Sequence, residues 1–111
     1  MEITFRTRKL WKQCNDSRAA VREFGPNQAR KLRQRLDDLQ AAGNLGLFRA
    51  LPGRCHELKG DRKGQLSLDL EHPFRLVFEP AHDPPPMQPD GGLDWKTVTA
   101  VRILEIVDTH D

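Results

Sequence analysis

The chain contains no tyrosine, only two cysteines and no long apolar run, and its basic and acidic residues nearly cancel to a net charge of +2. Each shortage excludes a class of protein. Two cysteines, Cys14 and Cys55, cannot build the disulfide framework of a small secreted domain, and one isolated bridge is unusual in a reducing compartment. Both are expected to be thiols. No apolar stretch approaches the about 20 residues that cross a bilayer, and the opening MEITFRTRKLW carries charge where a secretory signal would be apolar. A cytoplasmic location with no membrane association is the expectation. The common enzyme signatures are missing as well: there is no Gly-rich phosphate loop, H-E-x-x-H, C-x-x-C or G-x-S-x-G. Cys55, His56 and His110 make a poor zinc set, because neighbours on a strand point to opposite faces and no paired ligand motif exists. Neither a metal nor a cofactor is expected.

What is present fits one soluble globular domain spanning residues 1–111. Hydrophobic residues make up 37% and charged residues 31%, with a mean hydropathy of -0.68, too apolar for a disordered chain and too polar for a membrane protein. The charge is unevenly placed. Residues 1–35 hold ten Lys/Arg against Glu2, Asp16 and Glu23, whereas residues 36–111 hold eight basic against thirteen acidic side chains. That asymmetry suits one face attracted to polyanions and another suited to a basic partner, although a solvated helix surface explains the same counts.

Periodicity divides the chain into helices first and strands afterwards. Ile3 to Thr7 alternates weakly, as a short strand or a lead into a helix. From Arg8 to Phe24, Leu10, Trp11 and Cys14 and then Ala20, Val21 and Phe24 recur at helical spacing around the turn formers Asn15, Asp16 and Ser17, which predicts two short helices. After Gly25-Pro26, a stronger amphipathic helix carries Ala29, Leu32, Leu36 and Leu39 on one stripe and ends near Gly43. Strands are expected at Arg54 to Lys59, Gln65 to Leu70, Phe74 to Glu79 and Thr97 to Val107, with Gly60 to Gly64 closing a hairpin. In the second of these, Leu66, Leu68 and Leu70 alternate with Gln65, Ser67 and Asp69, predicting one buried and one wet face. In the third, Phe74, Leu76 and Phe78 form the apolar face and Arg75 points away. The last strand is apolar on both sides, as suits a central position. Pro80 to Asp94 holds five of the eight prolines and reads as a long exposed loop of little fixed structure. The expected architecture is α+β, with the N-terminal helices packed on one face of a small antiparallel β-sheet and the other face free for function.

The polar residues assigned to that open face are His56, Lys59, Arg62, Lys63, Arg75, Asp108 and His110. Together they suit RNA phosphodiester cleavage without a metal: imidazoles exchange protons near neutral pH, and Lys and Arg stabilise charge on the phosphorane. Asp108 and His110, two apart, would emerge on the same side of an extended chain, where Asp108 could orient the imidazole. Each residue also has an ordinary reading, as a strand histidine, a sheet-face ion pair or a frayed terminus.

The order His56-Glu57-Leu58-Lys59-Gly60-Asp61-Arg62-Lys63-Gly64, then Ser67, then Phe74-Arg75-Leu76-Val77-Phe78, then Ile106-Val107-Asp108-Thr109-His110 resembles the HigB-type killer toxins of the RelE/ParE toxin–antitoxin superfamily. The resemblance spans nearly the whole chain and is most specific in H-x-L-K-G-D-R-x-G and the closing D-x-H. It implies cleavage of messenger RNA in the ribosomal A site, with His56, Asp108, His110 and Arg75 as the catalytic set and Lys59 and Arg62 at the basic hairpin positions, beside which Lys63 is a further candidate for binding RNA. On this reading Arg22, Arg30, Lys31, Arg33 and Arg35 hold the polyanionic ribosome, so that binding weakens steeply with salt. Thr109 stands where the family usually has tyrosine, and Gln65 and Leu66 follow the hairpin where aromatic residues are common. Base stacking is left to Phe74 and Trp95. A helix-turn-helix, HigA-like antitoxin is the implied partner, and operator DNA would be met only through the toxin–antitoxin complex. Two other readings stay open: a ParE-like toxin that acts by binding DNA gyrase, and a decayed toxin kept as an antitoxin-bound co-regulator.

Overall fold

A computed structural model of the chain describes residues 1–108. Strand β1 (Glu2–Phe5) leads into three helices, α1 (Arg8–Asn15), α2 (Ser17–Phe24) and α3 (Pro26–Ala41). Four strands follow: β2 (His56–Glu57), β3 (Leu66–Asp69), β4 (Phe74–Pro80) and β5 (Ala100–Asp108). They form one five-stranded sheet in the order β1-β5-β4-β3-β2. The expected α+β arrangement is present, with one amendment to its sheet. β2, β3, β4 and β5 pair antiparallel, but β1 runs parallel to β5, so the sheet is mixed. The three helices carry the chain away from β1 before any other strand forms, and β1 fills the edge of β5 that β4 leaves open.

The helix boundaries follow from local chemistry. Thr7 accepts a hydrogen bond from Leu10 N at 3.1 Å and starts α1. Asp16 ends that helix and caps the next, its carboxylate accepting from Arg18 N at 2.9 Å and Ala19 N at 3.2 Å. Those backbone bonds, Ala19's first, hold the Asp16 carboxyl below its ordinary range. Gly25, at φ 81, turns the chain, and Pro26 occupies the first position of α3, where a missing N–H leaves no bond unmade. The stripe of α3 then buries Leu32, Leu36 and Leu39 against Leu10 of α1 and against Leu66, Leu68, Leu76, Phe78, Val101 and Ile103 of the sheet. Full burial of each such side chain contributes about 1.5–3 kcal/mol.

Four expectations are corrected. The strand predicted at Arg54 to Lys59 shrinks to His56–Glu57, because Arg54 takes φ 49 and the chain curls into a 3₁₀ turn at Gly60–Arg62. The second face of β3 is not wet, since Ser67 is 0% exposed. On β4, Phe74 is exposed at the strand end, while Val77, on the face expected to be polar, is buried with Leu76 and Phe78. The proline-rich segment has fixed structure: Met87 bridges Leu93, Gln88 N donates to Gly92 O at 2.7 Å, and the His82 ring accepts from Thr99 N at 3.1 Å. Gly91, at φ 92, allows that tight reversal. No described helix is long and apolar enough to cross a membrane.

Candidate active site

Cross-strand register assigns the faces. His56 lies opposite Ser67, Ser67 opposite Val77 and Val77 opposite Glu105, giving one row across four strands. Asp69, Arg75 and Val107 form a second row on the same face. Both rows point away from the helices, because the alternate residues Leu66, Leu68, Leu76 and Ile106 pack into the core.

The structure brings His56 and Arg75 together. His56 Nε2 lies 3.4 Å from Arg75 Nη1, and its Nδ1 lies 2.9 Å from the carbonyl oxygen of Arg54. A carbonyl only accepts, so Nδ1 carries the proton and the Nε2 lone pair is directed to the guanidinium. Arg75 is oriented from its other side by Asp69, with 3.6 Å between Nε and Oδ1. Asp69 also grips Arg54, at 2.6 Å from Oδ2 to Nε and 3.3 Å from Oδ1 to Nη2, and that hydrogen bond raises the Arg54 guanidinium above its ordinary value. The left-handed backbone at Arg54 is strained for a side chain with a Cβ, and such a conformation costs about 1–3 kcal/mol. Here the strain turns the Arg54 carbonyl toward the imidazole.

Gly53 makes the turn possible. It sits at φ +114, its carbonyl accepts from Asp69 N at 2.8 Å, and a Cβ on it would lie 3.0 Å from both Arg35 Nε and Leu68 Cδ2. Arg35 fills that space because its Nε donates to the Asp69 carbonyl at 2.9 Å. Arg35 is 6% exposed, which corrects its assignment to a ribosome-facing surface: it braces the strand that carries Asp69.

The other predicted cations are distributed unevenly. Arg62 is tied to Glu105 at 3.1 Å and to Gln65 Oε1 at 3.1 Å. Lys59 and Lys63 are exposed on the same turn. Arg22 and Arg30 are exposed on α2 and α3, Lys31 is half-buried, and Arg33 is paired with Asp37 at 3.0 Å while donating to the Cys14 carbonyl at 3.0 Å. α3 packs on the face of the sheet opposite the His56 row, so the exposed cations of these helices lie on a different face from His56. Asp108 is not brought to His56. It pairs with Phe74, and that parity aligns it with Leu76 and Ile106 on the helix side of the sheet. His110 and Thr109 lie outside the described residues. Trp95 is no stacking platform, being 5% exposed, with Nε1 bonded to Glu57 at 3.1 Å and its ring covered by Arg49 at 4.0 Å. Phe74, 43% exposed, keeps that option.

Sequence reasoning missed Arg54, Asp69 and Glu105. Alternation from His56 and Ser67 does place Asp69 on the site face, but the contacts to Arg54 and Glu105 depend on a left-handed residue and a strand pairing that no local pattern announces.

Comparison with solved structures places the fold. The chain superposes on the YoeB/ParE toxin from Agrobacterium tumefaciens over 99% of its length and 100% of that chain, with a TM-score of 0.61 and 13% identity. It also superposes on the YoeB dimer from Staphylococcus aureus, covering 100% of this chain and 98% of that one, with a TM-score of 0.50 and 19% identity. No family profile and no curated protein sequence matches it. The chain therefore has the α+β fold seen in YoeB/ParE toxins, at identities that establish shared architecture and nothing finer.

Proposed function

We propose that this chain is the toxin of a type II toxin–antitoxin system, of HigB type, and that it cleaves ribosome-bound messenger RNA without a metal ion. The observation that carries the reading is the His56–Arg75 pair: an imidazole whose Nε2 is an acceptor, held against a guanidinium by the Arg54 carbonyl on one side and Asp69 on the other. In this arrangement Nε2 takes the proton of a ribose 2′-hydroxyl as its oxygen attacks the adjacent phosphorus. Arg75 stabilises the phosphorane charge, and the bond to the 5′-oxygen breaks. The products are a cyclic phosphate and a free 5′-hydroxyl. The leaving oxygen needs a proton, and His110 is the residue the sequence offers for that step. Lys59, Arg62 and Lys63 hold the message, and Arg22, Arg30, Lys31 and Arg33 of α2 and α3 hold ribosomal RNA. A HigA-like antitoxin is the proposed partner, with operator DNA bound only through that complex.

The test is mapping of 5′ ends on a defined message incubated with purified ribosomes, beside a folded His56→Ala/His110→Ala variant. Ribosome-dependent A-site cuts that vanish in the variant support the proposal, and no cuts from the antitoxin-free protein refute it. One observation favours a second reading, a ParE-like toxin that binds DNA gyrase: Arg62 and Arg75 both face carboxylates, and Asp108 lies off the His56 face. A pure binder keeps its growth arrest when both histidines are replaced.

A further inference from the structure

The row from His56 to Glu105 is closed at its centre by something other than polar pairing. Ser67 and Val77 are both 0% exposed, and Ser67 Oγ has no hydrogen-bond partner among the described residues. A hydroxyl in that state destabilises the free fold, and an apolar side chain of similar size would fit there without the penalty. What spans the row is Arg62. From the turn before β3, its guanidinium donates through Nη1 to Gln65 and through Nη2 to Glu105 on β5. It therefore reaches over β4, whose Val77 is the cross-strand partner of both Ser67 and Glu105.

We propose that the Arg62–Glu105 pair is the closed form of a phosphodiester pocket: Glu105 occupies the place on Arg62 that a backbone phosphate of single-stranded RNA takes, and opening uncovers the Ser67 hydroxyl as a donor to that phosphate. Carboxylate and phosphate present similar oxygens to a guanidinium fork, so one replaces the other without moving the arginine far. The Arg62 and Glu105 side chains are 34% and 31% exposed, which lets Glu105 turn into water with the core intact. Its departure frees a cation and removes a like charge at once. Because Ser67 lies directly opposite His56, a phosphate held there is adjacent to the imidazole. Naming RNA as the ligand rests on the cleavage reading above; the pocket itself is a matter of binding.

The experiment measures fluorescence anisotropy of a labelled 2′-O-methyl RNA oligonucleotide, which cannot be cut, with the full chain and its variants, alongside thermal melts. Glu105→Gln should tighten binding by about 5–10-fold, Arg62→Ala should weaken it, and adding Glu105→Gln to Arg62→Ala should restore little. Ser67→Ala should weaken binding by about 5-fold without lowering the melting temperature, because no bond is lost from the free fold. The inference is overturned if Glu105→Gln does not tighten binding, or if Ser67→Ala leaves affinity unchanged. A Ser67→Ala protein that melts earlier also overturns it, since the hydroxyl then serves the free fold. Ribosomal cleavage separates this from the parent reading. A wild-type chain that cuts nothing but shows these shifts retains the pocket and loses the nuclease, and one that cuts while these variants behave as wild type does the reverse.

Discussion

Replacing Gly53 with alanine should destabilise the protein by about 3–5 kcal/mol, and the figure comes from two local terms. The first is backbone: φ +114 lies where side chains with a Cβ are rarely found, and holding one there costs about 1–3 kcal/mol. The second is the clash, since the new Cβ would sit 3.0 Å from Arg35 Nε and 3.0 Å from Leu68 Cδ2. Leu68 is fully buried and has nowhere to go, so Arg35 must give way and lengthen its 2.9 Å bond to the Asp69 carbonyl. Loss of a buried charged hydrogen bond costs about 1.5–3 kcal/mol. Domains of this size are stable by only about 5–15 kcal/mol, so the loss is easily measured by urea denaturation. Trp95, 5% exposed, is the reporter after Trp11, 49% exposed, is changed to phenylalanine. In an Arg35→Met background the same substitution should cost about 1–2 kcal/mol less, because the obstructing guanidinium is gone. A cost below about 1 kcal/mol in the wild-type background, or no difference between backgrounds, would falsify the claim that Gly53 exists to admit Arg35.

Removing the imidazole in His56→Ala should lower ribosome-dependent cleavage by about 10²–10⁴-fold with little change in melting, as judged by primer extension beside circular dichroism. Asp69→Asn should disturb the orientation of both Arg54 and Arg75; cleavage is expected to fall by about 10-fold or more, and an unchanged rate would remove Asp69 from the site. Thr7→Ala deletes the α1 cap and should cost about 1 kcal/mol in urea denaturation without affecting cleavage. Burial pushes the Cys14 thiol up to about 11 and the Cys55 thiol up to about 12, from 9.0. Native thiols thus keep protons that the unfolded chain releases, so this contribution is complete below pH about 9 and is lost as pH climbs toward 11 and 12. Denaturation curves across that window should flatten in pH when both cysteines are replaced by alanine.

Elements built on local chemistry were legible in the sequence. The Leu32, Leu36 and Leu39 stripe announced α3, Asn15-Asp16-Ser17 announced the break between α1 and α2, and the apolar run near Val101 to Val107 announced a central strand. His56 and Arg75 were both assigned to the open face of the sheet, but their 3.4 Å approach was not readable from the sequence. Less was visible where a residue's neighbours come from distant parts of the chain. Arg35 looked like one more exposed cation on a basic helix, yet its partner is a carbonyl 34 positions away. Trp95 looked available for stacking until Glu57 and Arg49 enclosed it.

The sequence alone determined the three helices, the longer strands and which side chains can exchange protons or bind phosphate, because those properties depend on period and on functional groups a few residues apart. Tertiary structure decided the rest. The parallel docking of β1 beside β5, the left-handed Arg54 that aims a carbonyl at His56, the burial of Ser67 and the departure of Asp108 to the far face all depend on how distant segments come together, the last through strand register. A shift of one residue in that register would exchange the two faces of a strand, and its energetics are set by the assembled core.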